Sequence, residues 1–240
     1  MMDRIAFMRG TSKMRLRERA FQDRRDAGRV LARTIQASGI SCDCQDGIVL
    51  GLPRGGVPVA YEVAHTLGLP LDIFIVRKLE VPSLGDLAMG MVASDGTVAI
   101  NSAIVQELHI SEEAIEAEVE RAKLEIERRE NTYRNGRPPA RIEGRMAILV
   151  DDGLATGASM LAAVRVLRPK ARKVIVAVPV AANSTCNKLR NEVDQLICAR
   201  IPWPFYSVRG FFRNFEQTTD EEVRTLLSEA RNDQEALWAA

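Results

Sequence analysis

The stretch MAILVDDGLATGASM, residues 146–160, joins an apolar run to two adjacent acids and a turn of small residues. Residues 148–150 are apolar and predict a buried strand, which ends at Asp151 and Asp152. After the turn, apolar residues recur at helical spacing from Ala158 onward. This order of strand, acid pair, turn and helix predicts a phosphate-binding loop at the edge of a sheet.

The two halves of the turn suit different parts of a sugar phosphate. Ionised carboxylates only accept hydrogen bonds, so Asp151 and Asp152 suit two vicinal ribose hydroxyls and would repel a phosphate. The loop suits the 5′-phosphate, because small residues let backbone N–H groups close around an anion at the positive end of a helix. The expected phosphate-binding residues are Gly153, Leu154, Ala155, Thr156, Gly157, Ala158 and Ser159. No lysine follows the glycines, which excludes a Walker loop.

The segment VDDGLATGAS resembles the phosphoribosyl-diphosphate (PRPP) signature of the type I phosphoribosyltransferases. Ser159 stands where that family often has threonine, and the hydroxyl is kept. The resemblance implies an α/β fold: a parallel, Rossmann-like twisted sheet flanked by helices, with a small hood and a flexible loop. The alternative is an ordinary strand-to-helix turn with solvated acids. The whole pattern, which also includes FQDRRDAG, PRGG, RKLEVP and FYSVRGFF, looks most like a bacterial group of predicted phosphoribosyltransferases. Membership of that group does not identify the acceptor base.

A second turn, PRGG, follows the apolar run at residues 47–52 and precedes a predicted helix at residues 57–67. Two glycines expose backbone N–H groups there, and an arginine lies at a helix N-terminus, which together suit a diphosphate. The expected diphosphate-binding residues are Pro53, Arg54, Gly55 and Gly56. The resemblance implies a cis peptide bond between Pro53 and Arg54. A glycine turn with a surface arginine is the alternative.

The segment RKLEVP follows a predicted strand at residues 71–76 and resembles the flexible catalytic loop of adenine-type enzymes. Arg77 and Lys78 would bring positive charge onto a departing diphosphate. If the acceptor must be deprotonated, Glu80 or Asp86 on this loop is the candidate base. The alternative is that Arg77 and Lys78 are ordinary charged residues at the surface. A hairpin is expected around the Asp-Gly turn at residues 95–96.

Two predicted helices carry many charges. The first, residues 15–37, has a basic face that we interpret as solvated: Arg15, Arg17, Arg19, Arg24 and Arg25. The second, residues 111–134, is the longest, with pairs such as Glu118–Arg121 and Glu125–Arg129 at helical spacing. Its narrow apolar stripe predicts a helix that lies across the domain or against a partner subunit. A capping box at Thr219 and Glu222 predicts the last helix.

Residues 201–215, IPWPFYSVRGFFRNF, concentrate aromatic side chains in one loop. Trp203, Phe205 and Phe211 are candidates to stack a nucleobase. A hydrophobic lid or a dimer contact is equally compatible with the pattern.

The whole chain of 240 residues predicts one domain at residues 15–240 after a flexible extension at residues 1–14. Its hood is expected from residues 15–45 and 200–218, with the long helix at residues 111–135. With 33 basic and 32 acidic residues, composition gives no case for nucleic-acid binding. No apolar run suggests a membrane span, and the four cysteines lack paired CxxC spacing, so we expect reduced thiols and a cytoplasmic protein.

The resemblance implies displacement of diphosphate from C1 of PRPP by a nitrogen nucleophile, and a homodimer as the family's usual state. Its catalytic residues would be Asp151, Asp152, Arg54, Arg77 and Lys78. Mg²⁺ is the expected cofactor, without fixed protein ligands or held by Asp151 and Asp152 through water. Ala155 stands where 6-oxopurine enzymes usually have an acid, which favours an adenine- or orotate-like base. The alternatives are an enzyme with water or another amine as acceptor, and a non-catalytic PRPP-sensing regulator.

Overall fold

The computed structural model describes residues 20–40, 46–82, 84 and 87–239. The strands are β1 (Gly47–Gly51), β2 (Leu71–Ile73), β3 (Val76–Glu80), β4 (Ala88–Ala93), β5 (Val98–Ile100), β6 (Met146–Val150), β7 (Lys173–Val180) and β8 (Gln195–Arg200). The helices are α1 (Arg24–Ala37), α2 (Gly56–Leu67), α3 (Ser102–Glu107), α4 (Glu112–Arg134), α5 (Ala158–Leu167), α6 (Asn183–Arg190) and α7 (Asp220–Ala239), with a 3-10 helix at Val208–Phe211.

A five-stranded parallel sheet in the order β2-β1-β6-β7-β8 forms the centre of the described chain. Its middle strands are buried on both faces, as their continuous apolar sequences predict. On one face α1 and α2 pack through Leu31, Ile35 and Val59. On the other, α5 and α6 pack through residues such as Met160 and Leu189. The predicted parallel sheet flanked by helices is confirmed.

The remaining strands form a separate antiparallel sheet in the order β3-β4-β5. The expected hairpin is confirmed, because β4 and β5 pair across the turn at Asp95 and Gly96. The flexible-loop interpretation is wrong for Arg77 and Lys78: both lie within β3, paired with Val92 and Met91 of β4. The strand predicted at residues 71–76 therefore ends early, and the chain passes into the second sheet.

The long helix α4 covers this second sheet and packs against α7, in an apolar cluster that includes Ala122, Ile126 and Val223. Ser111 caps its N-terminus by accepting from the N–H of Ala114. Arg134 in its last turn is buried and donates to Asp72 of β2 at 3.0 Å. The predicted packing of α4 across the domain is thus confirmed, as are its ion pairs Glu118–Arg121 and Glu125–Arg129.

The chain before α1 meets the loop after β8. Phe21 pairs with Phe212 in a parallel bridge, and its N–H donates to the carbonyl of Phe211 at 2.8 Å. An aromatic cluster of Phe21, Phe211 and Phe212 packs on Val180 at the end of β7. Residues 20–23 therefore do not continue the predicted first helix, which begins at Arg24 with Asp23 as its N-cap.

Candidate functional site

The carboxyl ends of β1 and β6 bring the two predicted turns into contact. These strands are parallel neighbours and end in register, with Gly51 opposite Val150. A Cβ on Gly55 would lie 2.2 Å from Oδ2 of Asp152, and one on Gly56 would lie 2.9 Å from Cα of Asp151. Only glycine fits such an approach, so the PRGG turn lies directly against the acid pair.

The two acids share a half-buried position in which their charges repel. Burial, and then the neighbouring Asp152, raise the pKa of Asp151 well above its usual value. Burial also raises the pKa of Asp152, although the guanidinium of Arg24 acts against that rise. The backbone N–H of Asp152 donates to Oδ1 of Asp151 at 2.8 Å. A pair in this position favours ligands that donate hydrogen bonds or carry positive charge.

Arg24 belongs to this site, and our interpretation of it as part of a solvated face is wrong. Its Nε donates to Oδ2 of Asp152 at 2.8 Å, with the two side chains only 13% and 16% exposed. Its guanidinium also lies 3.9 Å from the ring centroid of Phe215 and donates to the carbonyl of Glu216. Arg24 therefore ties α1 and the loop before α7 to the acid pair.

Arg25, the other described arginine of that predicted face, has partners on α2. Arg25 donates to Glu62 of α2 at 2.6 Å and lies over the ring of Tyr61, so it is not simply solvated either. The predicted basic residues Arg15, Arg17 and Arg19 lie outside the described residues.

The loop after the acid pair leads into an uncapped helix. Gly157 is the N-cap of α5, has φ +71° and makes no side-chain capping bond. The first helical hydrogen bond described runs from the N–H of Leu161 to the carbonyl of Gly157. The N–H groups of Ala158, Ser159 and Met160 precede that bond and point out of the helix N-terminus. Ala155, Thr156, Ala158 and Ser159 are exposed, so an anion can reach this end.

Leu154 does not fit the predicted phosphate-binding role. Its side chain is buried, and its N–H donates to the carbonyl of Val180 at 2.9 Å. Its carbonyl in turn accepts from the N–H of Ala182 at 3.0 Å. Leu154 anchors the loop to β7 because its backbone groups already have partners. Thr185 reinforces the anchor by donating to the carbonyl of Ala155.

The PRGG turn has the backbone that the resemblance implies, since the peptide bond between Pro53 and Arg54 is cis. The side chain of Arg54 is half-exposed, and its Nη1 lies 3.6 Å from Oδ1 of Asp220 at the start of α7. Asp220 also accepts from the hydroxyl of Tyr133 at 2.8 Å. Arg54 thus belongs to the turn that contacts the acid pair, but its side chain pairs with α7.

Of the other predicted catalytic groups, Arg77 lies by α4, as does the candidate base Glu80. Nη1 of Arg77 is 4.0 Å from Oε1 of Glu125, and Lys78 is exposed on the opposite side of β3. The N–H of Glu80 donates to Glu118 at 3.4 Å. None of the contacts seen in the described residues links these three side chains to the acid pair. Asp86 lies outside the described residues.

The candidate base-stacking residues fall into two groups. Trp203 is 91% exposed, so its ring is accessible. Phe211 is buried and stacks on Phe205, with ring centroids 5.7 Å apart. The prediction is therefore wrong for Phe211, because its ring is buried and already stacks on Phe205. Phe205 could stack a nucleobase only on the ring face that Phe211 does not cover. The 3-10 helix of the same loop reaches the acid pair's own loop, because Gly153 packs against Val208.

The part of the chain that the structure describes offers no metal site built from side chains alone. The described residues contain no group of three or more His, Cys, Asp or Glu side chains placed to hold a metal ion. A cation at the acid pair would take its other ligands from substrate oxygens and water, which suits Mg²⁺. Among the helices within those residues, none has the length and apolar character needed to cross a membrane.

Comparison with known proteins gives one consistent result. The model of the phosphoribosyl transferase domain matches residues 24–208. "Putative phosphoribosyl transferase Rv0571c" of Mycobacterium tuberculosis H37Rv is 42% identical over 215 residues, which cover 89% of this chain and 47% of that protein. The same figures hold for "Putative phosphoribosyl transferase MT0597" of strain CDC 1551. The chain thus spans about half the length of the curated relatives that it matches.

One solved structure is also similar at the level of sequence. The crystal structure of TT1426 from Thermus thermophilus superposes with a TM-score of 0.77 and is 37% identical. The match covers 88% of this chain and 98% of that one. Fold, site geometry and the domain match together establish that the chain belongs to the phosphoribosyl transferase family.

Proposed function

We propose that the chain is a PRPP-dependent phosphoribosyltransferase, in which a nitrogen nucleophile displaces diphosphate from C1 of the ribose. One observation carries the proposal: Gly55 lies so close to Asp152 that a diphosphate turn and a sugar-phosphate loop face one acid pair. A phosphate at one end of the substrate and a diphosphate at the other can then bind on either side of a ribose.

The acid pair would hold the ribose. Asp151 and Asp152 would accept from its 2′ and 3′ hydroxyls, while N–H groups at the start of α5 receive the 5′-phosphate. Arg24 would keep Asp152 oriented through its bond to Oδ2, which leaves Oδ1 for the sugar. As the C1–O bond breaks, its electron pair leaves with the diphosphate and the nucleophile's nitrogen bonds to C1. The carboxylates would stabilise the positive charge that develops on the ribose.

Arg54 would have to leave Asp220 to reach the leaving diphosphate. The pair has a separation of 3.6 Å and both side chains are more than a third exposed, so it is weak. Arg77 and Lys78 would contribute only if the β3–β4 hairpin moved toward the site. For this reason we rank them below Arg54 and Arg24.

Mg²⁺ is part of the proposal. Burial, and then the charge of Asp152, raise the pKa of Asp151, and a divalent cation beside the two carboxylates would relieve their repulsion. Asp151 and Asp152 would hold it through water, with oxygens of PRPP as its remaining ligands. When bound, it would neutralise charge on the leaving diphosphate.

The acceptor is proposed to be an adenine- or orotate-like base. Ala155 provides no acid to protonate a 6-oxopurine ring, and its exposed position leaves room for a base near the phosphate loop. Trp203 has the most accessible ring of the three stacking candidates, since it is 91% exposed. We further propose that the protein is cytoplasmic, which the free thiols Cys186 and Cys198 support. We also propose a homodimer, in which Leu124, 66% exposed on α4, would contact the partner subunit.

The test is diphosphate release from PRPP and Mg²⁺, with adenine, orotate, uracil, xanthine, guanine or no acceptor. Asp152→Asn serves as the blank and Asp46→Asn, an exposed acid remote from the site, as the matched control. Base-dependent release that only the Asp152 variant loses supports the proposal and names the acceptor. Tight PRPP binding without release under any condition favours the PRPP-sensing regulator, and absence of PRPP binding refutes both.

A further inference from the structure

A polar cavity lies between the C-terminal end of α4 and the middle of α7. Its volume is about 290 Å³. Four arginines line it: Arg134, Arg137, Arg224 and Arg231. The other lining residues are Tyr133, Asn135, Thr225, Leu227 and Ser228, so none of the described residues that line it is acidic.

The positive charge of this cavity is not balanced within the described part of the chain. Arg134 pairs with both Asp72 and Glu130, so these three groups together carry one net negative charge. The described residues form no ion pair with Arg137, Arg224 or Arg231. The negative end of the α4 dipole offsets only about half a charge. The other three guanidinium groups outweigh these negative charges, so the cavity keeps a net positive charge of about one to two.

The arginines reach the cavity from both helices. Arg224 and Arg231 are seven residues apart, which places both on one face of α7, about two turns apart. Ser228 lies between them on that face and adds a hydroxyl. The opposite wall is firm, because Tyr133 and Arg134 are buried and Arg134 donates to the carbonyl of Ile73 at 3.0 Å. Converging guanidinium groups bind phosphate oxygens bidentately.

We propose that this arginine cavity binds a small phosphorylated metabolite, of the size of a nucleoside diphosphate or a sugar bisphosphate. Its volume is close to the lower limit of pockets that hold drug-sized ligands, which favours a small occupant. It shares no lining residue with the proposed PRPP site, although its nearer end, at Arg224, is only about 6 Å along the helix from Asp220.

The cavity has a physical connection to the diphosphate turn. Tyr133 lines the cavity and donates to Asp220, the same carboxylate that pairs with Arg54. A ligand that changes the position of Tyr133 or of the first turn of α7 changes how firmly Asp220 holds Arg54. Because coupling between two sites is reciprocal, PRPP would alter the affinity of the cavity by the same factor. This part of the inference rests on the proposed function, whereas the binding itself does not.

The test is calorimetric titration of the full chain with ADP and with inorganic diphosphate. Four proteins are compared: wild type, Arg224→Ala/Arg231→Ala, the charge-matched control Arg121→Ala/Lys123→Ala, and Ser159→Glu made in a Gly55→Ala background, which obstructs both the phosphate loop and the diphosphate turn. Loss of two charge-assisted contacts should weaken binding about tenfold or more in the cavity variant. The control and Gly55→Ala/Ser159→Glu should bind at least one of the two probes as wild type does.

Equal affinity in wild type and the cavity variant, or loss of all binding in Gly55→Ala/Ser159→Glu, would overturn the cavity site. The coupling is tested with Asp220→Asn, which should keep the anion affinity and remove its dependence on PRPP. If PRPP fails to bind wild type at all, the proposed function fails, but the cavity titration still decides this inference.

Discussion

Arg24→Ala should damage both stability and PRPP binding, because it removes the partner of Asp152. Breaking a fully buried ion pair by removing one member costs about 3–5 kcal/mol, but both side chains here keep some exposure, 13% and 16%. A loss of about 1–2 kcal/mol is therefore expected from the pair. The contact with the ring of Phe215, at 3.9 Å, adds about 0.5–1 kcal/mol. The free energy of unfolding should fall by about 2 kcal/mol.

The effect on ligand binding should be larger than stability alone explains. Without Arg24 the carboxylate of Asp152 loses its fixed orientation, and loss of a hydrogen bond to a charged group costs about 1.5–3 kcal/mol, roughly tenfold or more in affinity. We expect PRPP affinity to fall about tenfold or more, with Arg24→Lys intermediate because lysine keeps the charge but not the guanidinium geometry. Urea denaturation and calorimetric titration with PRPP and Mg²⁺ measure the two effects.

The neighbouring Arg25 provides the matched control. Its side chain is 48% exposed, and its partner Glu62 keeps a second arginine, Arg29, at 3.6 Å. Arg25→Ala should therefore cost about 1 kcal/mol or less and leave PRPP affinity unchanged. If Arg24→Ala binds PRPP within twofold of wild type, Arg24 is only a structural link between α1 and β6, and our account of the acid pair is wrong.

Three further predictions concern a turn, a buried pair and a tyrosine. Gly55→Ala should abolish measurable PRPP binding in calorimetry, because its Cβ would overlap a carboxylate oxygen at 2.2 Å; Gly210→Ala, whose nearest neighbour would be 3.7 Å away, should bind normally. Arg134→Ala should lower the free energy of unfolding by about 3–5 kcal/mol in urea titrations, since it leaves a buried carboxylate of β2 uncompensated; a loss below about 1 kcal/mol would contradict this. Burial, and then the hydrogen bond to Asp220, raise the pKa of Tyr133 to about 12. The neutral phenol is favoured in the folded state, so its contribution to stability is complete below pH 10 and is lost as pH rises toward 12. Tyr133→Phe should make the free energy of unfolding less dependent on pH. An unchanged slope of that free energy between about pH 9 and roughly 11 would refute the prediction.

The order of elements around β6 was predictable because it depends on local chemistry. A continuous apolar run is typical of a strand buried on both faces, and a turn with Gly157 at positive φ needs a residue without a Cβ. The contact between the two turns follows from parallel pairing of β1 with β6, which brings their carboxyl ends to one edge. Local pattern thus predicted most of the proposed PRPP site.

Arg24 could not be placed from local pattern, because its partner Asp152 is 128 residues away. Charges alternate along α1, and nothing in their spacing distinguishes a residue that points at the sheet edge from one in water. The signal that could have found it was the resemblance of FQDRRDAG, the segment around it, to the bacterial group named above.

Two other errors have tertiary causes. The segment VRKLE looks like a charged loop, yet in β3 only Leu79 needs full burial, and its charged neighbours lie at the surface or beside α4. Phe211 looks like an exposed aromatic, but pairing of its loop with Phe21 buries it. Both outcomes depend on which distant segment covers the residue, which a local pattern does not contain.

The most direct test of the central claim is a crystal structure of the chain with PRPP and Mg²⁺. We predict the ribose hydroxyls within hydrogen-bond distance of Asp151 and Asp152, the 5′-phosphate on the N–H groups that begin α5, and the diphosphate beside Gly55. PRPP bound elsewhere, or bound with its ribose away from the acid pair, would contradict the account.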